Sequence, residues 1–393
     1  MSDSDRIVDV EVMLAGTSWR NLTLVKVTTE GGVVGWGDAT VEYREYAVAA
    51  HLGFLRHLVV GIDALAPSRI WKAIVADDFM AGDVVSMASA SGLINACLDI
   101  AAQAYAVPLH QLLGGAVRDR IPVYANGWYQ GERTAETFAK LSLEVMARGH
   151  RALKLDPFGS AGLLATRRDV EDAATLVGAV RAAVGEDVAI AVDAHGRLSP
   201  ATARHAADAF AEHDLAFIEE PVDPHNLDAL REVRSASRVP IAAGERSIGR
   251  AGFRDLIEGN CVDVIQPDPS WAGGVIEVQR IAAWAELHGM VLALHNANSP
   301  LATLTACHVA AVLPNLSIVE TFDDFDEPWL RDAFPGAPNV QDGFIHLPEA
   351  PGIGLRPNEA VLAEHPARAT FMNLFEEGWE LRRSDVASSE PPA

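Results

Sequence analysis

VAIAVD (188–193), LAFIEE (215–220) and VPIAAGE (239–245) are three short apolar runs, each carrying an acid at its end: Asp193, Glu219 and Glu245. The acids stand 26 residues apart in both intervals. A run of this kind bounded by turn residues reads as a buried parallel strand. The roughly 20 residues between runs are long enough for one crossover helix. Equal spacing sets the three carboxylates at the same end of three successive strands, and in a (β/α) barrel that end is the catalytic face.

Taken singly, each acid reads as a solvated strand-end residue. Three converging on one point repel, at about 4 kcal/mol per pair for a separation near 4 Å and an effective dielectric near 20. Protons or a cation must offset that cost. Oxygen-only donors select a hard dication such as Mg²⁺, which makes Asp193, Glu219 and Glu245 the expected metal ligands.

The same texture extends along the chain. Apolar runs recur at 122–126, 151–155, 188–193, 215–219, 239–243, 262–266, 290–294 and 316–320, alternating with Ala-rich amphipathic segments. Eight candidate strands so spaced suit a TIM-type α/β barrel. A doubly wound sheet explains the alternation but not why chemically active residues end so many strands. Ahead of the barrel, 7–16 and 21–40 read as strands, the second broken by a hairpin at Glu30-Gly31-Gly32. Helical patterns follow at about 45–60, 67–79 and 86–106, and PLHQLLGG (108–115) ends in a helix stop at Gly114-Gly115. The expected division is an α+β unit over 1–121, a barrel over 122–325, and a C-terminal segment over 326–393 that returns to the first unit. The final SSEPPA (388–393) reads as disordered.

The chain has 393 residues and a net charge of −23, from 31 basic and 54 acidic side chains. That balance argues against nucleic acid or an anionic membrane as partner. An anionic substrate would have to be drawn by local charge, which a bound metal supplies. Cys97, Cys261 and Cys307 form no CxxC and no even framework, which fits a reducing compartment. The opening MSDSDRIVDV has no basic or apolar leader region, and no apolar run approaches the length of a membrane span. A cytoplasmic chain is expected.

Further residues end the other strands. His295 ends the seventh run and Asp268 the sixth, so Asp268 is placed to accept from one imidazole nitrogen, orienting the ring and raising its basicity. This makes His295 a candidate base. His195 lies two residues past Asp193, where alternation along an extended end turns both side chains the same way. By itself it reads equally as a cap or a catalyst. Lys154 closes a buried strand in ALKLD, which favours an electrostatic role, and Glu320 closes the last run.

Asp193, Glu219 and Glu245 in these settings, with QPDPSWAGG (266–274) and ALHNANSPLAT (293–303), resemble the enolase superfamily. The nearer likeness is to its mandelate-racemase-like subgroup, and within that to sugar-acid dehydratases of the D-galactonate dehydratase kind. The resemblance covers nearly the whole chain and implies a modified barrel, (β/α)7β, capped by an α+β domain. It implies one Mg²⁺ per subunit and removal of a proton next to a substrate carboxylate, with a Lys or His base and a metal-stabilised ene-diolate. It implies that His295 with Asp268 is the base, that His195 protonates the departing 3-hydroxyl, and that Lys154 and Glu320 hold the substrate carboxyl. It implies a small-molecule carboxylate as partner and a symmetric homo-oligomer. The capping-unit loops with Trp19, Arg20, Tyr43 and Arg44 would set substrate choice. One position departs from the racemase pattern: Asp156 stands where a second Lys base would be. That weighs towards elimination, and Asp156 either binds a substrate hydroxyl or orients His195. Glu220 is expected to face away from Glu219, and Arg197 and Arg246 to steady their neighbours.

These residues leave rival outcomes open: an epimerase or racemase, a lactone cycloisomerase, or a catalytically idle member of the same fold. A metal-dependent hydrolase on this barrel would need a His-x-His pair on the first strand, and YANGW (124–128) has none.

Overall fold

In the computed structural model, residues 3–379 are described; SSEPPA lies outside them. Strand β1 (Ile7–Gly16) pairs antiparallel with β2 (Asn21–Thr29), which pairs antiparallel with β3 (Val34–Asp38). The turn between β2 and β3 depends on Gly32, whose φ of 79° suits glycine. This sheet lies directly on the helix Val84–Ala104. A Cβ on Gly35 or Gly37 would stand 2.1 Å from the backbone oxygen of Ala96 or Gly92 respectively. Only bare backbone lets the two elements approach so closely, and the helix answers with Ala, Ser and Gly on its surface.

That helix corrects one expectation. It is long and apolar enough to cross a membrane, where no such run was expected. Every residue from Ser86 to Ala102 is buried within the protein, which makes it the core helix of the capping unit. Its first turn is capped by Asp83, which accepts from the amides of Val85 and Ser86. The helix expected over 67–79 is shorter, an α-helix at Pro67–Trp71 continuing as a π turn to Ala76.

All eight expected barrel strands form: β4 (Arg120–Ala125), β5 (Ala152–Leu155), β6 (Ala189–Asp193), β7 (Phe217–Glu219), β8 (Ile241–Ala243), β9 (Val264–Ile265), β10 (Val291–Leu294) and β11 (Leu316–Thr321). Neighbours pair in parallel, and β11 closes on β4 through Val319 opposite Val123 and Thr321 opposite Ala125. A helix follows each of β4 to β10, from Ala135–Ala147 round to Pro300–Ala311, so the architecture is the expected (β/α)7β barrel. The helix Pro300–Ala311 is buried on every side, because the capping unit covers the face that solvent would otherwise meet.

Beyond β11 the chain forms further short elements. A short strand, β12 (Phe344–His346), pairs antiparallel with the start of β4, and a helix spans Glu359–Glu364. The chain then meets the β1–β2 hairpin, where the amide of Gly16 donates to His365 O at 2.8 Å and Asn21 exchanges hydrogen bonds with Arg368.

Substituting Gly37→Ala should cost about 1–3 kcal/mol of folding stability through overpacking. Gly53→Ala, on the exposed face of the helix Glu45–Val59 with open space around it, should gain about 0.5–1 kcal/mol. Urea unfolding midpoints of the two variants measure both, and an unchanged midpoint for Gly37→Ala would refute the close approach.

Candidate active site

The C-terminal ends of the barrel strands gather ionisable side chains around one buried ammonium. Lys154, on β5, donates to Glu219 and lies 3.0 Å from Glu320 Oε1 and 3.2 Å from Asp193 Oδ2, with 1% of its side chain exposed. Parallel register sets Asp193 directly beside Glu219. Burial opposes the charge on Lys154, yet Glu219 and Glu320 hold the ammonium well above its usual range. Burial and the neighbouring Asp193 push the Glu219 carboxyl up to about 8.

Glu245 arrives by a different route. It lies two residues past β8, beyond Gly244, whose φ of 150° and approach to the backbone of Gln266 leave no room for a side chain. Trp271 Nε1 holds the Glu245 carbonyl at 2.6 Å. The Glu245 carboxylate sits 3.0 Å from His295 Nε2. Burial would raise its pKa, but His295, with His195 and Lys154, holds it well below the usual carboxylate range.

Among the described residues no trio of His, Cys, Asp or Glu is already spaced to close round an ion. The donor chemistry nevertheless fits a hard dication. Asp193, Glu219 and Glu245 offer only oxygens, and Glu219 Oε1 is buried with no hydrogen-bond partner among the described residues. A buried carboxylate oxygen left so is costly unless a cation or donor meets it.

His295 follows β10 directly, and its Nδ1 lies 2.7 Å from Asp268 Oδ2. Asp268 is itself fixed by the amide of Ser270 at 2.6 Å and by Asn298 Nδ2 at 3.2 Å. Asp268 lies three residues past the end of β9, in a loop rather than on a strand end. Burial works against a charged His295 ring, but Glu245 and Glu320 raise its pKa well above the ordinary value.

His195 reaches the same cavity by a turn rather than by strand alternation. β6 stops at Asp193, and His195 takes a left-handed φ of 48°, with its amide donating to Asp193 Oδ1 at 2.9 Å. Its Nδ1 lies 3.0 Å from Asp156 Oδ2. Asp156 is fully buried and paired with Arg197. Burial alone would raise its carboxyl, while Arg197 and His195 hold it down to about 2. Asp156 touches His195 and Arg197 and does not line the cavity.

A cavity of about 630 Å³ stands over these groups, lined by Lys154, Asp193, His195, Glu245 and His295. Trp19 and Tyr43 line it as expected. Arg20 does not: it is fully buried behind Trp19, stacked 3.9 Å from that ring, and bonded to Asp326 Oδ2 and Asn298 O. Glu320 also stands back from the cavity, its oxygens taken by Asn126 Nδ2, Lys154 and the amide of Asn296. Glu220 turns away from Glu219 and pairs with Arg246.

Several lining residues had no signal in the sequence. Met372, Leu374 and Trp379 come from the C-terminal segment, and Glu42 from the loop after β3. Nothing in periodicity or motif connects the end of the chain to the barrel mouth. A second cavity, of about 330 Å³, lies at the opposite end of the barrel among Ala152, Ala189, Ala191 and Phe217, away from the carboxylates.

Comparison with known proteins agrees with this geometry. Residues 5–114 match the mandelate racemase / muconate lactonizing enzyme N-terminal domain, and residues 137–361 match the enolase C-terminal domain-like family. The chain is 36% identical over 362 residues to a D-gluconate dehydratase of Thermoproteus tenax, covering 91% of this chain and 73% of that one. It is 31% identical over 350 residues to a D-galactonate dehydratase of Ralstonia pickettii, covering 88% and 91%. A solved member of the enolase superfamily from Salmonella Typhimurium superposes with a TM-score of 0.86 at 26% identity, covering 92% of this chain and 98% of that one. With both its halves matched and its barrel-end carboxylates in place, the chain belongs to the mandelate racemase / muconate lactonizing enzyme branch of the enolase superfamily.

Proposed function

We propose that this protein dehydrates a sugar acid, an aldonate or aldarate, to a 2-keto-3-deoxy acid. The observation that carries the reading is a pair of histidines lining one cavity, each with its Nδ1 held by a buried aspartate: His295 by Asp268 and His195 by Asp156. Elimination of water needs one group to take a proton and another to give one. The dehydratase names carried by relatives over about nine-tenths of this chain support the same chemistry.

In this reading His295 removes the proton at C2, which requires an unprotonated Nε2; a cation held by Glu245 would take up the negative charge that otherwise keeps the ring protonated. Asp268 keeps Nδ1 as the donor side of the ring and leaves Nε2 towards the cavity. His195, charged beside Asp156 and Asp193, delivers a proton to the 3-hydroxyl as it departs. Burial disfavours that charge, but Asp193 and Asp156 raise the His195 pKa to about 9, which favours the acid form. Lys154 holds the substrate carboxyl, its ammonium steadied by Glu320, which in turn accepts from Asn126 Nδ2. One Mg²⁺ per subunit would be held by Asp193, Glu219 and Glu245, and would supply positive charge against the second negative charge that develops on the carboxyl. The enol released by loss of the hydroxyl tautomerises to the keto acid. Asp156, locked by Arg197, offers no second base on the opposite face, which speaks against racemisation. The cytoplasm as working compartment is supported by three free, buried cysteines.

A screen of C4–C6 aldonates and aldarates with Mg²⁺, detecting 2-keto acids, should find turnover; silence across the panel would overturn the dehydratase reading. His295→Asn should lower turnover by at least about 10²–10⁴-fold and abolish exchange of the C2 proton in D₂O, and retained exchange would assign the base elsewhere. His195→Asn should lose dehydration while C2 exchange survives; loss of both would remove the acid role. Mg²⁺ should raise the melting temperature reversibly with EDTA, and more so in Lys154→Met, where Glu219 and Asp193 have lost their ammonium. The absence of any metal-dependent shift in either protein would refute the metal site.

A further inference from the structure

The loop Val41-Glu42-Tyr43-Arg44, between β3 and the helix Glu45–Val59, lines the cavity along its whole length. It is pinned in place. Tyr43 adopts a left-handed φ of 62°, and its hydroxyl accepts from the amide of Met372 at 3.2 Å. On this fixed loop Glu42 is exceptional: its carboxylate is hydrogen-bonded to no other described residue. Burial raises its pKa, opposed by the charges of His295 and Arg20, and Glu245 adds to the rise, so the carboxylate lies within electrostatic reach of the barrel floor.

The other ionisable groups on the upper wall are spoken for or outward. Arg246 is paired with Glu220. Arg44 is exposed and donates to the Tyr43 carbonyl at 3.1 Å. His225 is exposed at the rim. Lys154, Asp193, Glu245 and the two histidines on the floor are taken up with the carboxyl, C2 and C3 of a substrate. A chain of four to six carbons therefore leaves its remaining hydroxyls to the wall on which Glu42 stands.

We propose that Glu42 reads the far end of the substrate, accepting hydrogen bonds from hydroxyls beyond C3 of an aldonate and rejecting an aldarate, whose second carboxylate would face it. This rests on the sugar-acid reading of the same cavity. A carboxylate accepting from hydroxyls makes charge-assisted hydrogen bonds. Two carboxylates set against each other in a partly desolvated pocket repel, enough to separate the two classes on the order of 100-fold.

The test compares matched pairs, D-gluconate with D-glucarate and D-galactonate with D-galactarate, in the wild type, Glu42→Gln and Glu42→Ala. The wild type should favour the aldonate in kcat/KM. Glu42→Gln, which keeps hydrogen-bonding capacity and loses the charge, should narrow that preference at least about tenfold, mainly through a lower KM for the aldarate. Glu42→Ala should raise KM for the aldonate with kcat little changed. An aldarate turned over as well as its aldonate by the wild type, or a ratio unmoved in Glu42→Gln, overturns the proposal. The same acids should also be titrated against fluorescence of the cavity tryptophans Trp19, Trp271 and Trp379. An aldonate preference in binding that narrows in Glu42→Gln, without keto-acid product, would sustain the role of Glu42 while the dehydratase reading falls. Equal binding of both classes, or of neither, overturns the role of Glu42 itself.

Discussion

One buried ammonium decides how the barrel mouth can exist. Lys154 stands among Asp193, Glu219 and Glu320 with almost none of its surface exposed. Without it, three carboxylates would face each other in a region from which water is largely excluded. Removing one partner from a buried charge group costs about 3–5 kcal/mol because the remaining charge has nowhere to go. Even with Lys154 present the balance is negative, and Glu219 keeps one oxygen unmet among the described residues. The site is therefore built to attract positive charge, and a net charge of −23 over the whole chain adds to that field.

The two histidine–aspartate pairs are the second consequence. Each aspartate is buried and each takes an imidazole Nδ1, so both rings are aimed before any substrate arrives. The supports differ. Asp268 is fixed by a backbone amide and Asn298, whereas Asp156 is fixed by Arg197. Two imidazoles, each held through Nδ1, can then face one cavity. The fold supplies the separation, since β10 and β6 lie on different sides of the barrel with β7, β8 and β9 between them.

The capping unit closes the cavity from above, and its placement depends on close packing. Gly35 and Gly37 allow β3 to lie on the backbone of the helix Val84–Ala104, while Asp38, at the end of that strand, accepts from Ser299 in the loop after His295. Arg20, buried against Trp19, bonds Asn298 O and Asp326. The loops that carry Trp19, Glu42 and Tyr43 are thus tied to the loop that steadies Asp268. The cavity wall above and the His295–Asp268 pair below are thereby joined through hydrogen bonds.

Eight apolar runs at near-regular spacing determined the barrel, because strand and crossover helix are local consequences of pattern and length. Strand-end position likewise determined Lys154, Asp193, Glu219, His295 and Glu320, since parallel strands share one C-terminal face. What required the tertiary structure was everything joined across distant chain. The orientation of His195 comes from a left-handed turn, not from strand alternation. Asp156 is paired with Arg197, 41 residues away. Arg20 reads from the sequence as a cavity residue but is a buried tie, and Glu42, Met372 and Trp379 enter the cavity from segments with no periodic signal. Local pattern carries the energetics of neighbours in sequence; which loops meet over the barrel mouth is decided by packing between elements far apart in the chain, and only the folded chain contains those contacts.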